Sequence, residues 1–482
     1  MRPNLEEVLS KGAIKALLVL FWGLVLGLSV LAYVKYPGQG FTYILFTIVS
    51  NLLLYFGFRK NAIFFDTFLG IFFWLGFWLK LTIRVAFSSG VFHESVGFFD
   101  GSGAAFDRAL LVASCGLSGF LLASYLKGKL FFVYPAKIEG IVHKGLFCLY
   151  SNNRKFIWMV FVFFTVAVAI TNVHLGIYQR GCITRTILPF GLNGVYKWLL
   201  QFGLASISTL ILRYELEIRK QTFLPAMLLG FLETLVSNVS LLSRGMILNG
   251  GALMYGVLAS LKQYTIKFNM LFFLLSGLIF SVFFIGSVFS VNYLRSTAFE
   301  DYLAEDEHVI VAHSMTKPLF IDRWVGMEGV MAVSSYPDLS WDLWKAALQE
   351  TYNENETSFY DNNLITSPYA KTDKTKHHFI SLPGIVAFFF YPGSFLFLFA
   401  SMFALGSVAA LVEAFVFRVG GKNMILCALI AQVVAFRFAS FGYVPKQSYL
   451  LFGAILLNVL IFYAADKFLA RFYRKSMSIR TD

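Results

Sequence analysis

The chain has 482 residues, of which 58% are hydrophobic and only 14% charged, with a mean hydropathy of +0.69. Soluble domains carry about 25% charged residues, so a soluble fold is excluded and a membrane bundle is expected. The net charge of +13 gathers at the ends of apolar segments, where it sets topology, and gives no reason to expect nucleic acid as a partner.

A helix needs about 20 apolar residues to cross the hydrocarbon core. On that rule the sequence predicts an all-α, polytopic transmembrane helical bundle of about 12 spans. The first run, 13–34, is too long for a cleavable signal and leads straight into a second span. The spans that follow are 40–58, 61–85, 107–126, 156–175, 192–212, 223–241, 246–262 and 269–293. After a long polar stretch come 383–417, 422–441 and 448–468. The first of these is too long for one straight crossing, and Pro383, Pro392 and Gly393 predict a short or re-entrant piece at its start.

Charge supports this alternation. With the N-terminus inside, the inner loops hold Arg59-Lys60, Lys127 to Lys155, Arg213 to Lys220, Lys262 to Lys267, Arg418 to Lys422 and the tail from Arg471. Each is basic, as cytoplasmic loops are. The stretch 294–380 carries 14 of the 27 acidic residues against 7 Lys or Arg, and so reads as one large outward loop. The organisation expected is spans one to nine over 1–293, the loop over 294–380, and three spans with an inner tail over 381–482. Within the loop, 337–352 has Asp338 or Ser340 as N-cap, and Leu339, Leu343, Trp344 and Leu348 follow at helical spacing, predicting an amphipathic helix on the membrane face or the bundle. Residues 353–376 are polar and turn-rich and predict a mobile loop. Cys115, Cys148, Cys182 and Cys427 are scattered and form neither a disulfide framework nor a metal-site spacing.

Four arginines defy the inside rule. They are Arg180 and Arg185 in YQRGCITR, Arg244 in LLSRGMILNGG, and Arg323 in IDRWVGMEGVMAV. A guanidinium holds phosphate through paired hydrogen bonds, so outer arginines meeting on one face suit a lipid-linked pyrophosphate. Snorkelling to the interface is the plainer explanation of each. Lys80, Arg84, Lys197, Glu233, Glu413 and Arg437 fall within or near spans, where charge is costly and faces the interior or a wet cavity. Lys80 and Glu413 stand near enough to span ends to snorkel, while Glu233 and Arg437 lie deeper. His308, His313, His377 and His378 bracket the loop, and a histidine there can take a proton from an attacking hydroxyl. No HExxH, Walker loop, GxSxG or CxxC is present, so spacing supports neither a metal nor a cofactor.

Ser243-Arg244-Gly245 at the outer end of a central span, the run RWVGMEG (323–329) and the returning segment HFISLPGIVAFFFYPGS (378–394) carry a family likeness. In these motifs, within 241–251, 313–333 and 378–394, and in its overall plan, the chain resembles the Wzy-type O-antigen polymerases of the bacterial inner membrane. More loosely it resembles the O-antigen ligases. The resemblance implies a metal-independent glycosyltransferase, with both termini cytoplasmic, acting on undecaprenyl-pyrophosphate-linked oligosaccharide at the periplasmic face. It implies that Arg244 and Arg323 hold the pyrophosphate, with Arg180, Arg185 and Arg437 as further candidates. His313, Glu233 and Glu328 are the candidates for proton transfer. A chain-length regulator protein is the partner the family implies, besides membrane lipid. Ligase-like transfer and a lipid-linked-oligosaccharide flippase are the alternatives.

Overall fold

The computed structural model describes residues 5–135, 144–219, 223–243, 245–263, 270–298, 321, 323–367 and 377–479. Helix dominates them, because apolar backbone in a bilayer must satisfy its own hydrogen bonds. The first half contains α1 (Leu5–Lys35), α2 (Gly40–Gly57), α3 (Phe64–Ser88), α4 (Gly103–Leu130), the short α5 (Lys144–Asn152) and α6 (Arg154–Leu175). Then comes α7, in which Leu192–Trp198 and Leu204–Arg219 are joined by a wide turn at Leu199–Gly203. It is followed by α8 (Leu224–Ser240), α9 (Met246–Gln263) and α10 (Met270–Ala298). Four short helices follow, α11 (Met327–Ser334), α12 (Trp341–Gln349), α13 (Phe359–Asn363) and α14 (Ile385–Phe389). The chain closes with α15 (Phe395–Val419), α16 (Met424–Ala439) and α17 (Ser448–Ile479).

Among the described residues nine helices are long and apolar enough to cross a membrane, so the chain is an all-helical, multi-pass membrane protein. The other three predicted spans are the shorter α8 and α16, and α9, whose 18 residues include Asn249, Lys262 and Gln263. Among the described residues no strand forms; the isolated bridge between Cys182 and His377 is the nearest to one. Small residues allow the tightest contacts. A Cβ on Gly119 of α4 would overlap the Phe399 carbonyl of α15, and one on Gly406 would stand 2.7 Å from Ala123. α16 is buried along nearly all its length, and Gly256 of α9 lies against its Ile425 backbone.

The helices alternate between two ends. At the basic end, buried carboxylates fasten elements together. Glu413 of α15 accepts the backbone N–H groups of Phe64 and Phe65 at 2.8 and 2.9 Å, capping the first turn of α3, and the Tyr134 hydroxyl at 2.5 Å. Asp66 pairs with Lys127, Arg154 with Glu215 at 2.5 Å, and Asp466 accepts the Gly145 N–H at 2.8 Å. Glu413 and Lys80 therefore do not snorkel. They are 3% and 1% exposed, because each has an interior partner that a sequence pattern does not reveal.

The opposite end is capped by α11 to α14 and the connections 89–102, 176–191 and 440–447. The predicted amphipathic helix is α12: Ser340 accepts the Leu343 N–H at 3.1 Å, and Trp341 and Trp344 pack edge-on against Phe397 of α15. The mobile loop expected from 353 onward is a fixed structure as far as 367. Ser358 and Asp361 form a capping box, Asp361 also accepts the Ser381 N–H at 2.8 Å, and Ser95 donates to the Thr366 carbonyl at 2.8 Å. Thr357, Ser358 and Asp361 turn inward to partners; residues 368–376 lie outside the described residues.

Two segments dip from the cap into the bundle. Gly326 meets Gly76 of α3 backbone to backbone, Gly329 lies against the Pro383 carbonyl, and Val386 of α14 packs on Gly116 of α4. Trp324 stacks on Phe72 with ring centroids 5.8 Å apart. Phe72 is about 21 Å of helix below Ala86 at 1.5 Å per residue, and the Ala86 carbonyl marks the rim by accepting the Lys35 ammonium at 2.6 Å. Part of the stretch expected to lie outside is thus re-entrant, and α10 runs on to Ala298, past the expected boundary at 293. The break expected at Pro383, Pro392 and Gly393 is the five-residue α14 and its turn.

Candidate functional site

Arg437 stands at the capped end, in the last turn of α16. Its Nη2 donates to the Tyr443 carbonyl at 3.2 Å and to the Ser448 hydroxyl at 3.4 Å, and its guanidinium stands 5.5 Å from the Phe441 ring centroid. It has no carboxylate partner among the described residues. A guanidinium carries five N–H donors, so most are unspent on protein. Tyr178, at the start of the connection 176–191, lies within electrostatic reach of Arg437.

Tyr178 is held firmly. The Asn172 side chain bonds both its N–H and its carbonyl at 3.0 Å, Gln201 donates to its hydroxyl at 3.2 Å, and the Lys197 ammonium sits 4.9 Å from its ring centroid. The chain then turns back on itself. The Arg180 N–H donates to the Leu241 carbonyl at 3.0 Å and the Arg185 N–H to the Gly176 carbonyl at 2.9 Å. Gly176 has a φ of 59° and receives the Arg185 stem where a Cβ would stand. Among the described residues neither guanidinium has a carboxylate. Burial pushes the Cys182 thiol up, while Arg185 and Arg295 pull it down, so Arg295 at the end of α10 belongs to the same surroundings.

The returning end of the polar stretch completes the site. The His378 N–H donates to the Gly181 carbonyl at 3.1 Å, and Thr184 donates to Glu354 through its N–H at 3.1 Å and its hydroxyl at 2.8 Å. His378 Nδ1 lies 3.0 Å from the Glu354 carbonyl oxygen. A carbonyl only accepts, so Nδ1 carries a hydrogen, and of the two neutral tautomers this selects the one in which Nε2 is the acceptor. Nε2 has no partner among the described residues, and the ring stands between Tyr352 and Tyr443 at 5.8 and 5.5 Å. Burial pushes the Glu354 carboxyl up, but hydrogen bonds from Tyr352 and Thr184, with His378 nearby, more than offset it and leave it below its usual value. Burial holds the Glu350 carboxyl above its usual value although the N–H groups of Phe359 and Val444 donate to it.

The predicted site residues divide accordingly. Arg180, Arg185 and Arg437 belong to one neighbourhood. Arg323 adjoins it, because Trp324 stacks on Phe72, which meets Phe436 at 5.9 Å, and Val325 and the Ala439 carbonyl both crowd Gly384. Glu328 is not brought to the arginines: it is 6% exposed and pairs with Lys80 at 2.6 Å. Glu233 lies lower in α8, two turns from Ser240, and accepts the Ser237 hydroxyl at 2.8 Å. Arg244 and His313 lie outside the described residues. Sequence reasoning passed over Tyr178 and Arg295 and preferred His313 to His378. Arg295 carried the signal, being another arginine at an outer span end, whereas the tautomer of His378 depends on a carbonyl 24 residues away.

Two cavities lie elsewhere. One of about 290 Å³ opens between α2, α4 and α15 beside Leu45, Leu111, Cys115 and Phe395, and a water-sized one of about 10 Å³ adjoins Glu413. Among the described residues no three His, Cys, Asp or Glu side chains are grouped to hold a metal ion. No family model, curated protein or solved structure matches the chain. The fold describes a multi-pass membrane protein whose capped end carries Arg180, Arg185 and Arg437.

Proposed function

We propose that this protein polymerises undecaprenyl-pyrophosphate-linked oligosaccharide repeat units into surface polysaccharide, working at the periplasmic face of a bacterial inner membrane. On this reading the chain crosses about 12 times, with both termini cytoplasmic. The observation that supports the reading is that Arg180 and Arg185 lie on the connection whose Tyr178 is within electrostatic reach of Arg437, none of the three with a carboxylate partner among the described residues, and that an oriented histidine is bonded to the same connection. Several cations without counter-ions in a partly dry site repel one another unless an anion joins them.

The reaction follows from that set. A sugar hydroxyl of the incoming unit attacks the anomeric carbon of the growing chain. The C–O bond to pyrophosphate breaks, its electron pair leaves with undecaprenyl pyrophosphate, and the hydroxyl proton passes to His378 Nε2. The arginines stabilise the charge gathering on the leaving group, the role of fixed donors in a low-dielectric site. Arg244 and Arg323 are assigned the same anion. A chain-length regulator in the same membrane is the protein partner on this reading.

The test is chain length in cells carrying each variant. Arg180→Ala with Arg185→Ala, Arg323→Ala, Arg244→Ala and His378→Gln should each leave single repeat units on the lipid and no long chains. Long chains of normal length in the arginine variants would refute the site. A second reading, translocation of the same lipid-linked unit, draws on Glu233 and Arg437, because Lys80 is neutralised by Glu328. Single units confined to the cytoplasmic leaflet in a deletion strain would favour it over polymerisation.

A further inference from the structure

A buried acid stands apart from the site described. Glu233 is 2% exposed in the middle of α8, and its Oε2 has no hydrogen-bond partner among the described residues. Its Oε1 accepts the Ser237 hydroxyl at 2.8 Å. No cation faces it. The facing parts of α6 (156–173), of α7 (199–212) and of α10 (270–292) hold no ionisable residue at all. On α9, 246–261 holds only Tyr255, whose ring is turned away against Phe64 and Phe68. An ionised carboxylate without a counter-ion in such surroundings is too costly to persist.

The acid has polar company at its own level. α6 and α8 rise in the same direction, and Asn172 of α6 donates to the Ser240 hydroxyl at 2.9 Å. Two turns lower on each helix stand Thr165 and Glu233. Ser208 of α7 meets Gly230, one turn below Glu233. The Thr165 and Ser208 hydroxyls are buried and, like Glu233 Oε2, without a partner among the described residues. Above them polar groups form a broken file toward the capped end: Ser237, then, one turn up, Ser240, whose hydroxyl donates to the Ala169 carbonyl at 3.0 Å, then Asn172, the Tyr178 backbone and, at the Tyr178 hydroxyl, Gln201.

We infer that Glu233 is a proton-binding site in the membrane interior, holding its proton on Oε2 and exchanging it through this file with the capped end. The inference does not rest on the polymerase reading. It is tested on the full-length protein in lipid nanodiscs by infrared spectroscopy at neutral pH. The difference between wild type and Glu233→Gln should contain the band of a protonated carboxyl, which shifts when water is replaced by D2O. Asn172→Leu interrupts the file and should slow that shift several-fold. Ser237→Ala, a smaller change that serves if Asn172→Leu does not fold, removes the hydrogen bond to Oε1 and should move the band itself. A difference spectrum carrying carboxylate bands would overturn the inference. So would a band that shifts no faster than the α8 amides exchange, or one that sodium at fixed pH converts to carboxylate.

Discussion

Replacing Arg437 by alanine removes one cation of the proposed anion site. Nη2 is committed to the Tyr443 carbonyl and the Ser448 hydroxyl, which leaves Nε and Nη1 for a ligand. Two hydrogen bonds from a charged donor are worth about 1.5–3 kcal/mol each, and partial exposure brings their sum toward about 3 kcal/mol. At about 1.4 kcal/mol per tenfold, undecaprenyl pyrophosphate should bind Arg437→Ala roughly 100-fold more weakly. Arg437→Lys keeps the charge but loses the planar fork, and should recover about tenfold of that. The assay is titration of undecaprenyl pyrophosphate into the purified protein in nanodiscs, with the melting temperature recorded for each variant. Ser448→Ala removes one acceptor of Arg437 without touching the charge, so it controls for loosening of the turn 440–448. Binding by Arg437→Ala within about threefold of wild type, with an unchanged melting temperature, would refute the reasoning.

Two further outcomes concern the scaffold. Lys80→Met strands the Glu328 carboxylate in the interior and should cost about 3–5 kcal/mol, read as a lower melting temperature, with Glu328→Gln in the same chain restoring much of the loss. The Glu354 carboxyl lies below its usual value, so its contribution to stability is complete above the usual carboxylate range and is lost as pH falls through the folded value. Glu350, held above its usual value, has the opposite sign: its contribution is complete at low pH and is lost as pH rises through its folded value. Hydrogen exchange should therefore show residues 176–185 and 352–356 loosening together on acidification, and Glu354→Gln should remove that response.

The helices were legible because the bilayer imposes a simple rule on composition. Each predicted span corresponds to a helix, and the Ser340 cap and the break around Pro383 were visible in local residue types. What stayed hidden depends on partners distant in sequence. Glu413 caps a helix that begins 349 residues earlier, and Lys80 meets an acid in a stretch that reads as an outer loop. The polar run after 353 looked mobile because periodicity cannot distinguish a side chain seeking water from one seeking Ser358 or Asp361. At the site, Arg180 and Arg185 announced themselves by breaking the charge rule. Arg437 did so by lying in an apolar run. The role of His378 became readable only with the carbonyl that fixes its tautomer.

The meeting of Gly76 with Gly326, and of Gly329 with Pro383, has a consequence for traffic. No side chain cushions those crossings, so the floor of the cap cannot swing upward without prying α3 from its neighbours. On the proposed reading, a lipid-linked substrate would then enter sideways, between helices. That route suits a molecule whose greasy tail never leaves the bilayer while its charged head tips inward, as a drawer slides where a hatch would jam.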